Sequence, residues 1–453
     1  MTLSSMASLP IIERSLATAG GGQWALADSP TGPRLVVAIP GHLQPTWFAG
    51  LEGEASEHGA ARLLLGPLSA ANAAVLRSQL TWLQPAPIGL KASAGMGDRL
   101  GLATPGHVRA MRAVGGTLAP IFAQQSIREM TRTGRSPQQV VDDATWGAFR
   151  EGWSGAVGAD ADHIKNTADA DRCLAAGFTL FTVDPGEHVR DVNRPASELR
   201  EAFGALPWAE LEDCEADARQ RYVGRTFDAE GQLIRFDEAT LQTAAIKYGH
   251  AVLHVGRVYR HIARSARPGT FELEVSVDET DAPTTAAEHV WVATELKRLG
   301  VRWVSLAPRF VGRFEKGVDY QGDLAEFERQ FAQHAAIARH VGPYKISIHS
   351  GSDKFLIYPI AAKYTQGLVH LKTAGTSYLE AIRVIAKRDA ALFREIMQFA
   401  IDRYETDKAS YHVSAELGKV AKLAGVADAQ LPSYLDDFHA RQVLHVTFGS
   451  VLT

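Results

Sequence analysis

Groups that can transfer protons or bind metals recur in this chain at the ends of short apolar runs. A histidine is followed two residues later by a lysine at two such places, as His163 with Lys165 and as His370 with Lys372. Side chains two residues apart on a strand share a face, so each pair points to the same side. Such groups are costly in an apolar interior. Packing alone does not account for the repeated pattern, which therefore indicates a chemical site.

Imidazole and carboxylate groups form a ligand set shared by zinc, manganese, iron, cobalt and nickel. The groups of this kind at separate run ends are His163, Glu279, His349 and His370, with Asp278 as an alternative carboxylate. The sequence therefore predicts one divalent metal ion, and these ligands suit several metals. A hydrogen-bonded core position is the alternative for each histidine. Three histidines at separate run ends favour the metal.

Two carboxylates, Glu129 and Asp278, are the predicted proton-transfer groups, because they come from separate runs and could act on opposite sides of a substrate. A salt bridge with Arg128, Arg132 or Arg135 is the alternative for Glu129. Lys165 and Lys372 are further catalytic candidates, since a buried lysine can form a Schiff base.

Cations at the same run ends predict a clamp for an acidic substrate, because arginine binds carboxylate in a bidentate manner. Ordinary surface charge is the alternative for each cation. The run end GSDKF also offers backbone amides to an anion. The predicted substrate-binding residues are Asp98, Arg128, Arg309, Ser350, Asp353 and Lys354.

From Pro87 onward, short apolar runs alternate with longer segments of helical periodicity, which indicates βα units around a parallel sheet. Eight runs are strand candidates: 87–95, 117–125, 159–165, 178–184, 271–279, 301–308, 344–351 and 367–373. Eight is the number that closes a TIM-type (β/α)8 barrel, which we expect over residues 86–385. In such a barrel the carboxyl ends of the strands meet on one face, where the groups above would converge.

Three segments lie outside this rhythm. Residues 1–85 form a predicted N-terminal extension, in which RLVVAIPG reads as a strand, and residues 386–453 form a mainly helical C-terminal region. Its closing segment VLHVTFGS (443–450) is a strand candidate. About 85 residues (185–270) separate the fourth and fifth strands, more than a crossover needs. We expect a helical insertion with a turn near 229–231, serving as a buttress, a lid or a contact in a homo-oligomer.

Composition narrows the class of protein. The 453 residues are 46% hydrophobic and 22% charged, with a formal net charge of -4, which gives no electrostatic reason to expect nucleic acid as a partner. Cys173 and Cys214 are isolated, so no disulfide framework is expected. We see no secretory signal and no apolar run near the ~18 residues that cross a bilayer. A soluble, cytoplasmic protein without a membrane partner is expected.

Longer strings around these residues resemble the tagaturonate epimerase family. They are GMGDRLGLATPGH (95–107), QQSIREMTRTGR (124–135), ADADHIKN (159–166), SVDETDAPT (276–284), SLAPRFVGRFEKGVDY (305–320), HAAIARHVGPYKISIHSGSDKF (334–355) and HLKTAGTSYLEAIR (370–383). The resemblance implies a barrel, a divalent metal, and interconversion of D-tagaturonate and D-fructuronate at carbon 4, with related ketohexoses as further substrates. The matching strings carry Glu129, His163, Lys165, Asp278, Glu279, His349 and His370. Arg313 departs from the pattern, since we expect an acidic residue there.

Carbon 4 is not adjacent to the keto carbon 2, so the carbonyl does not acidify its proton. Retro-aldol cleavage between carbons 3 and 4, movement of the keto group to carbon 3, and direct proton abstraction are the three routes open. The alternative functions are another metal-dependent or Schiff-base sugar-acid isomerase or aldolase, and a non-catalytic sugar-acid-binding protein.

Overall fold

The computed structural model describes residues 3–193, 195–280, 282–373 and 375–453, and these residues form three sheets. In chain order the strands are β1 (Ala17–Ala19), β2 (Gly22–Ser29), β3 (Gly32–Pro40), β4 (Glu54–His58), β5 (Ala61–Gly66), β6 (Ser93–Gly95), β7 (Ala119–Ser126), β8 (Gly158–Ile164), β9 (Leu180–Val183), β10 (Thr226–Ala229), β11 (Gln232–Arg235), β12 (Glu272–Val277), β13 (Ser305–Pro308), β14 (Lys345–Ile348) and β15 (Val369–Lys372). Strands β1 to β5 form an antiparallel sheet, and β10 and β11 form a hairpin.

The other eight strands close into a parallel barrel in the order β6, β7, β8, β9, β12, β13, β14 and β15, with β15 pairing to β6. Each lies within or overlaps one of the eight predicted runs, so the predicted TIM-type barrel is confirmed. The run at 87–95 is strand only over its last three residues.

Helices surround the barrel and extend beyond it at both ends. They are α1 (Leu3–Ala7), α2 (Thr46–Ala49), α3 (Ala70–Gln79), α4 (Thr104–Ala113), α5 (Ile127–Thr133), α6 (Pro137–Arg150), α7 (Thr167–Ala176), α8 (Ala196–Gly204), α9 (Glu215–Tyr222), α10 (Glu238–Ser265), α11 (Ala286–Arg298), α12 (Leu324–Val341), α13 (Tyr358–Thr365), α14 (Ser377–Arg388), α15 (Ala390–Asp407), α16 (Phe438–Val446) and α17 (Phe448–Leu452). Helices α4, α6, α7, α10, α11, α12 and α13 pack side by side in a ring around the strands. No helix among the described residues is both long enough and apolar enough to span a bilayer.

The segment between β9 and β12 contains more than helices. A two-residue turn at Glu230 and Gly231, with φ values of 55° and 86°, joins β10 to β11, as a tight hairpin requires. Helix α10 packs between α7 and α11, which is the place of a regular barrel helix. The insertion into the regular barrel is therefore the segment between β9 and α10.

The predicted strand at 443–450 is wrong, because this segment forms α16 and the start of α17. Asp437 caps α16, since its side chain accepts a hydrogen bond from the Ala440 amide at 2.7 Å. Val443, Leu444 and Val446 are buried in a separate apolar cluster with α14 and α15. A short apolar run is compatible with a helix or a strand, and here the Asp437 cap favours the helix.

Two buried imidazoles join the helix ring to the barrel. The Nδ1 atoms of His289 on α11 and His334 on α12 lie 2.9 Å apart, and the Tyr344 hydroxyl lies 2.8 Å from His289 Nε2. A contact between two ring nitrogens requires one donor and one acceptor, so the two rings cannot both be charged there. Burial lowers the pKa of His334 to about 4, and burial together with His334 lowers the pKa of His289.

The free energy of unfolding is therefore expected to fall as pH drops below the ordinary histidine pKa. Below that value His334 binds a proton in the unfolded chain but not in the folded chain. This group alone lowers the free energy of unfolding by about 1 kcal/mol between pH 7.5 and 5.5. Urea unfolding at the two pH values measures the loss. His334→Gln should reduce the pH dependence, whereas His42→Gln, at an exposed position, should leave it as it was. An unchanged pH dependence in His334→Gln would contradict this account.

Candidate active site and metal centre

The barrel interior holds an ammonium group among three carboxylates. Lys372 Nζ lies 2.8 Å from Asp160 Oδ2, 2.6 Å from Asp162 Oδ1 and 3.1 Å from Glu274 Oε1. All four residues are buried. Although burial disfavours the ammonium, the three carboxylates raise the pKa of Lys372 well above its ordinary value. The lysine is therefore a permanent cation that makes a polar barrel interior tolerable.

Alternation on β12 explains how this interior arises. Glu274 and Ser276 point inward, while Leu273, Val275 and Val277 pack outward in the main apolar core. Glu274 Oε2 accepts a hydrogen bond from Ser305 Oγ at 2.5 Å, and Oε1 lies 2.7 Å from His349 Nε2. Glu274 thus connects the interior lysine to a histidine at the mouth of the barrel.

Above this layer, His163, Asp184 and Glu279 form a cluster with metal-ligand geometry. One ligand atom from each lies within 4.8 Å of the other two. His163 Nδ1 is 3.4 Å from Asp184 Oδ2 and 4.0 Å from Glu279 Oε1. His163 lies near the end of β8, Asp184 directly follows β9 and Glu279 follows β12, so three strand ends supply the cluster.

A backbone irregularity aims His163 at this cluster. The register between β8 and β9 shifts after Ala161, and His163 has a φ of 52°, in the left-handed region that non-glycine residues rarely adopt. Strict alternation would send Asp162 and His163 to opposite faces. The irregularity turns both toward the mouth, and His163 Nε2 lies 3.6 Å from Asp162 Oδ1.

The donors of the cluster fit a divalent metal. His163 Nδ1 and Asp184 Oδ2 are buried without hydrogen-bond partners, which a polar atom tolerates poorly. The other oxygen of Asp184 accepts from the Gly186 amide at 2.9 Å, which orients the carboxylate. One imidazole and two carboxylates form a known ligand set, and three protein ligands leave positions open for substrate.

His349 lies beside this cluster but faces two carboxylates. Its Nδ1 is 3.2 Å from Asp278 Oδ1, and its ring centroid is 5.1 Å from that of His163. Although burial disfavours the imidazolium, Asp278 and Glu274 raise the pKa of His349 to about 10. Asp278 also accepts from the Ser276 hydroxyl, and although burial opposes ionisation, His349 keeps the pKa of Asp278 below its usual range.

A cavity of about 420 Å³ opens over these groups, the size of a small-molecule site. The predicted residues on its wall are Arg128, His163, Asp278, Glu279, Arg309, His349 and Ser350. Arg313, the departure from the family pattern, also lines it. Tyr411, His412, Val413 and Ser414 complete the wall from the segment after α15.

Glu315 ties this C-terminal wall to the loop after β13. Its buried Oε2 accepts from the Ser414 amide at 3.0 Å, the Ser414 hydroxyl at 2.7 Å and Gln442 Nε2 at 2.7 Å. Three hydrogen bonds on one buried carboxylate oxygen make a rigid junction. The C-terminal region is therefore part of the site.

Several predicted site residues are not brought to the cavity, because other partners hold them. Asp98 accepts from the amides of Leu100, Gly101 and Ala103 and so shapes its own loop. Asp353 accepts from Arg441 Nη2 at 3.1 Å.

Lys354 is buried and donates to the carbonyls of Glu315 and Ser352 at 2.9 and 3.1 Å and to that of Val318. It positions backbone instead of binding substrate.

Three other predicted residues lie lower in the barrel, beside it or at its rim. His370 points inward, but its Nδ1 is 2.9 Å from Ser93 Oγ, and burial lowers its pKa to about 3. Glu129 accepts from Arg99 Nε and Nη2 at 3.1 and 3.0 Å, a salt bridge with an arginine that local sequence did not suggest. Lys165 lies at the rim, 3.1 Å from Glu187 and 3.9 Å from Asp184.

Asp184, Asp160, Asp162 and Glu274 belong to the site but were not among the residues predicted from sequence. For the last three a signal was present, because ADAD in β8 and ELEVSVD in β12 alternate polar and apolar residues. Strands of a parallel barrel are usually apolar on both faces. Polar alternation in such a strand therefore marks a polar interior. Lys316, which lines the cavity from the loop after β13, carried no comparable signal.

Known proteins share this architecture. The model of the tagaturonate epimerase family matches residues 32–453. The tagaturonate/fructuronate epimerase of Thermotoga maritima is 49% identical over 382 residues, which are 84% of this chain and 77% of that protein. Crystal structures of the fructuronate-tagaturonate epimerase of Cohnella laeviribosi, native and complexed with one glycerol, are 38% and 37% identical. Both superpose with a TM-score of 0.91 and cover 99% of this chain and 89% of theirs.

The interior cation should matter greatly for stability. Lys372→Met leaves three buried carboxylates without a counter-charge and is expected to lower the free energy of unfolding by about 3–5 kcal/mol, measured by urea unfolding at pH 7.5. Adding Asp160→Asn should recover part of the loss. Lys363→Met, at an exposed pair with Glu328, should change stability little. Equal effects of Lys372→Met and Lys363→Met would contradict the role given to Lys372.

Proposed function

Because the chain belongs to the tagaturonate epimerase family, we propose that it interconverts D-tagaturonate and D-fructuronate at carbon 4. The observation that supports this most is the cluster of His163, Asp184 and Glu279, because two of its members, His163 and Glu279, line one cavity together with Asp278 and a set of cations. This arrangement provides metal ligands, a proton-transfer group and anion-binding groups within reach of one small molecule.

His163, Asp184 and Glu279 would hold the divalent metal. When bound, such an ion polarises keto and hydroxyl oxygens of the substrate. Zinc, manganese, iron, cobalt and nickel all suit these donors. The substrate carboxylate is placed against Arg309 and Arg313, which line the same cavity.

Asp278 is the proton-transfer group on the β12 side of the cavity. Its contact with His349 fixes the carboxylate, and its hydrogen bond from Ser276 orients one oxygen. His349 acts as a positioning residue for Asp278, because both of its ring nitrogens face carboxylates.

The Schiff-base alternative is disfavoured at both predicted lysines. A Schiff-base lysine must lose its proton to act as a nucleophile. Lys372 is enclosed by three carboxylates, and although partial burial opposes it, Asp184 and Glu187 raise the pKa of Lys165. A non-catalytic binding protein is disfavoured by the Asp278 and His349 pair, which binding alone does not need.

An anaerobic turnover assay with D-fructuronate tests the proposal. We expect D-tagaturonate to appear, EDTA to abolish its formation, and manganese, zinc, nickel or cobalt to restore it. Asp184→Asn should weaken metal binding at least ~10-fold, measured as metal content after dialysis, because the amide supplies no charge.

Asp171→Asn, which changes an exposed carboxylate paired with His261, serves as the matched control and should keep its metal and activity. Epimerisation that survives complete metal removal would exclude the metal site. No turnover with any metal would exclude the proposed reaction.

A further inference from the structure

We propose that Lys316 is a further catalytic residue. It accepts the proton of the substrate hydroxyl group on carbon 4 and later returns that proton to the same oxygen. This inference rests on the proposed epimerisation. Lys316 lies in the loop after β13, and its side chain lines the cavity that His163, Asp278 and Glu279 also line.

The backbone around Lys316 is fixed on both sides. Lys354 donates to the carbonyls of Glu315 and Val318, and Arg441 Nε donates to that of Gly317 at 2.6 Å. The Glu315 side chain is held by Ser414 and Gln442. Gly317 has a φ of 76°, which completes a tight turn directly after the lysine. A lysine on a mobile loop would lose more conformational entropy when its side chain is held in one position. Here the backbone that carries Lys316 is already fixed.

Charged groups of both signs influence the ammonium group of Lys316. They are the carboxylates of Glu129 and Asp162 and the guanidinium groups of Arg99 and Arg128. Burial lowers the pKa of Lys316, only partly offset by Glu129, which increases the fraction of free amine near neutral pH.

The arginines on the cavity wall, Arg128, Arg309 and Arg313, cannot take this role, because a guanidinium group does not act as a base in proteins. Lys316 is the only lysine among the described residues that line the cavity. Lys316 enters the cavity from the loop after β13, and Asp278 lines the same cavity from the segment after β12. One bound substrate could therefore contact both side chains.

The keto group at carbon 2 activates the bond between carbons 3 and 4 and does not activate the hydrogen on carbon 4. Transfer of the carbon 4 hydroxyl proton to Lys316 Nζ turns that hydroxyl into an aldehyde as the bond between carbons 3 and 4 breaks. The bonding pair moves toward the keto oxygen at carbon 2. After the aldehyde turns its other face, the bond re-forms and Lys316 returns the proton to oxygen 4. No atom or electron is gained or lost.

Variants at position 316 test the inference in the metal-loaded protein. Lys316→Met and Lys316→Arg should both lower kcat by about 10²–10⁴-fold, because neither side chain exchanges a proton near neutral pH. The KM for D-fructuronate should change little. Lys422→Met, an exposed lysine far from the cavity, is the matched control and should retain full activity. Circular dichroism and metal content establish that each variant is folded and loaded.

Chemical rescue gives a readout that a structural role would not move. Lys316→Cys in a Cys214→Ser background, treated with 2-bromoethylamine, carries a lysine analogue of lower pKa. Activity should return, with the acidic limb of the dependence of kcat on pH shifted to lower pH, because the free amine is the active form. Full activity of Lys316→Arg would overturn the inference in favour of a charge that only binds the carboxylate.

Substrate deuterated at carbon 4 tests the step itself. The label should remain in the product, since the proposed route breaks no bond to that hydrogen. Loss of the label to solvent in the unsubstituted protein would overturn the proposal. If the unsubstituted protein and Lys422→Met both fail to epimerise, the proposed function fails. If both are active and Lys316→Met is equally active, the role of Lys316 alone fails.

Discussion

The buried ammonium of Lys372 is the interaction on which the rest of the structure depends. Asp160, Asp162 and Glu274 could not share a dry barrel interior as three uncompensated anions, because the loss of hydration would exceed what folding provides. Contacts of 2.6 to 3.1 Å with one cation make the layer possible. Burial and neighbouring acids nevertheless raise the pKa of Asp160 to about 6, although Lys372 opposes this. The layer is thus held near the limit of what one cation can neutralise.

This layer supports the mouth of the barrel from below. Glu274 contacts His349, His349 contacts Asp278, and Asp162 lies beside His163, so each group at the mouth rests on a charged group beneath it. The chain closes the mouth from above by joining the loop after β13 to the segment 411–414 through Glu315. A barrel supplies the floor of the site, but the walls come from parts of the chain far apart in sequence.

Much of the candidate site could be anticipated from sequence, and the failures have a common cause. His163, Asp278, Glu279, Arg309 and Ser350 reach the cavity because strand ends of a closed barrel converge. The local neighbours of Glu129 suggested Arg128, Arg132 or Arg135 as its partner, yet Arg99 binds it from another loop. Which cation lies nearest a carboxylate is a long-range property that spacing does not encode.

By itself, the sequence determined the barrel, the face on which chemistry gathers and the residue types available there. Those features follow from local periodicity and from the rule that parallel strands end together. Tertiary structure alone decided that Lys354 supports a loop, that His370 lies below the mouth and that Lys316 enters the cavity. The same ammonium or imidazole is a scaffold, a core residue or a reactive group according to its burial and its neighbours, and only the folded chain assigns these.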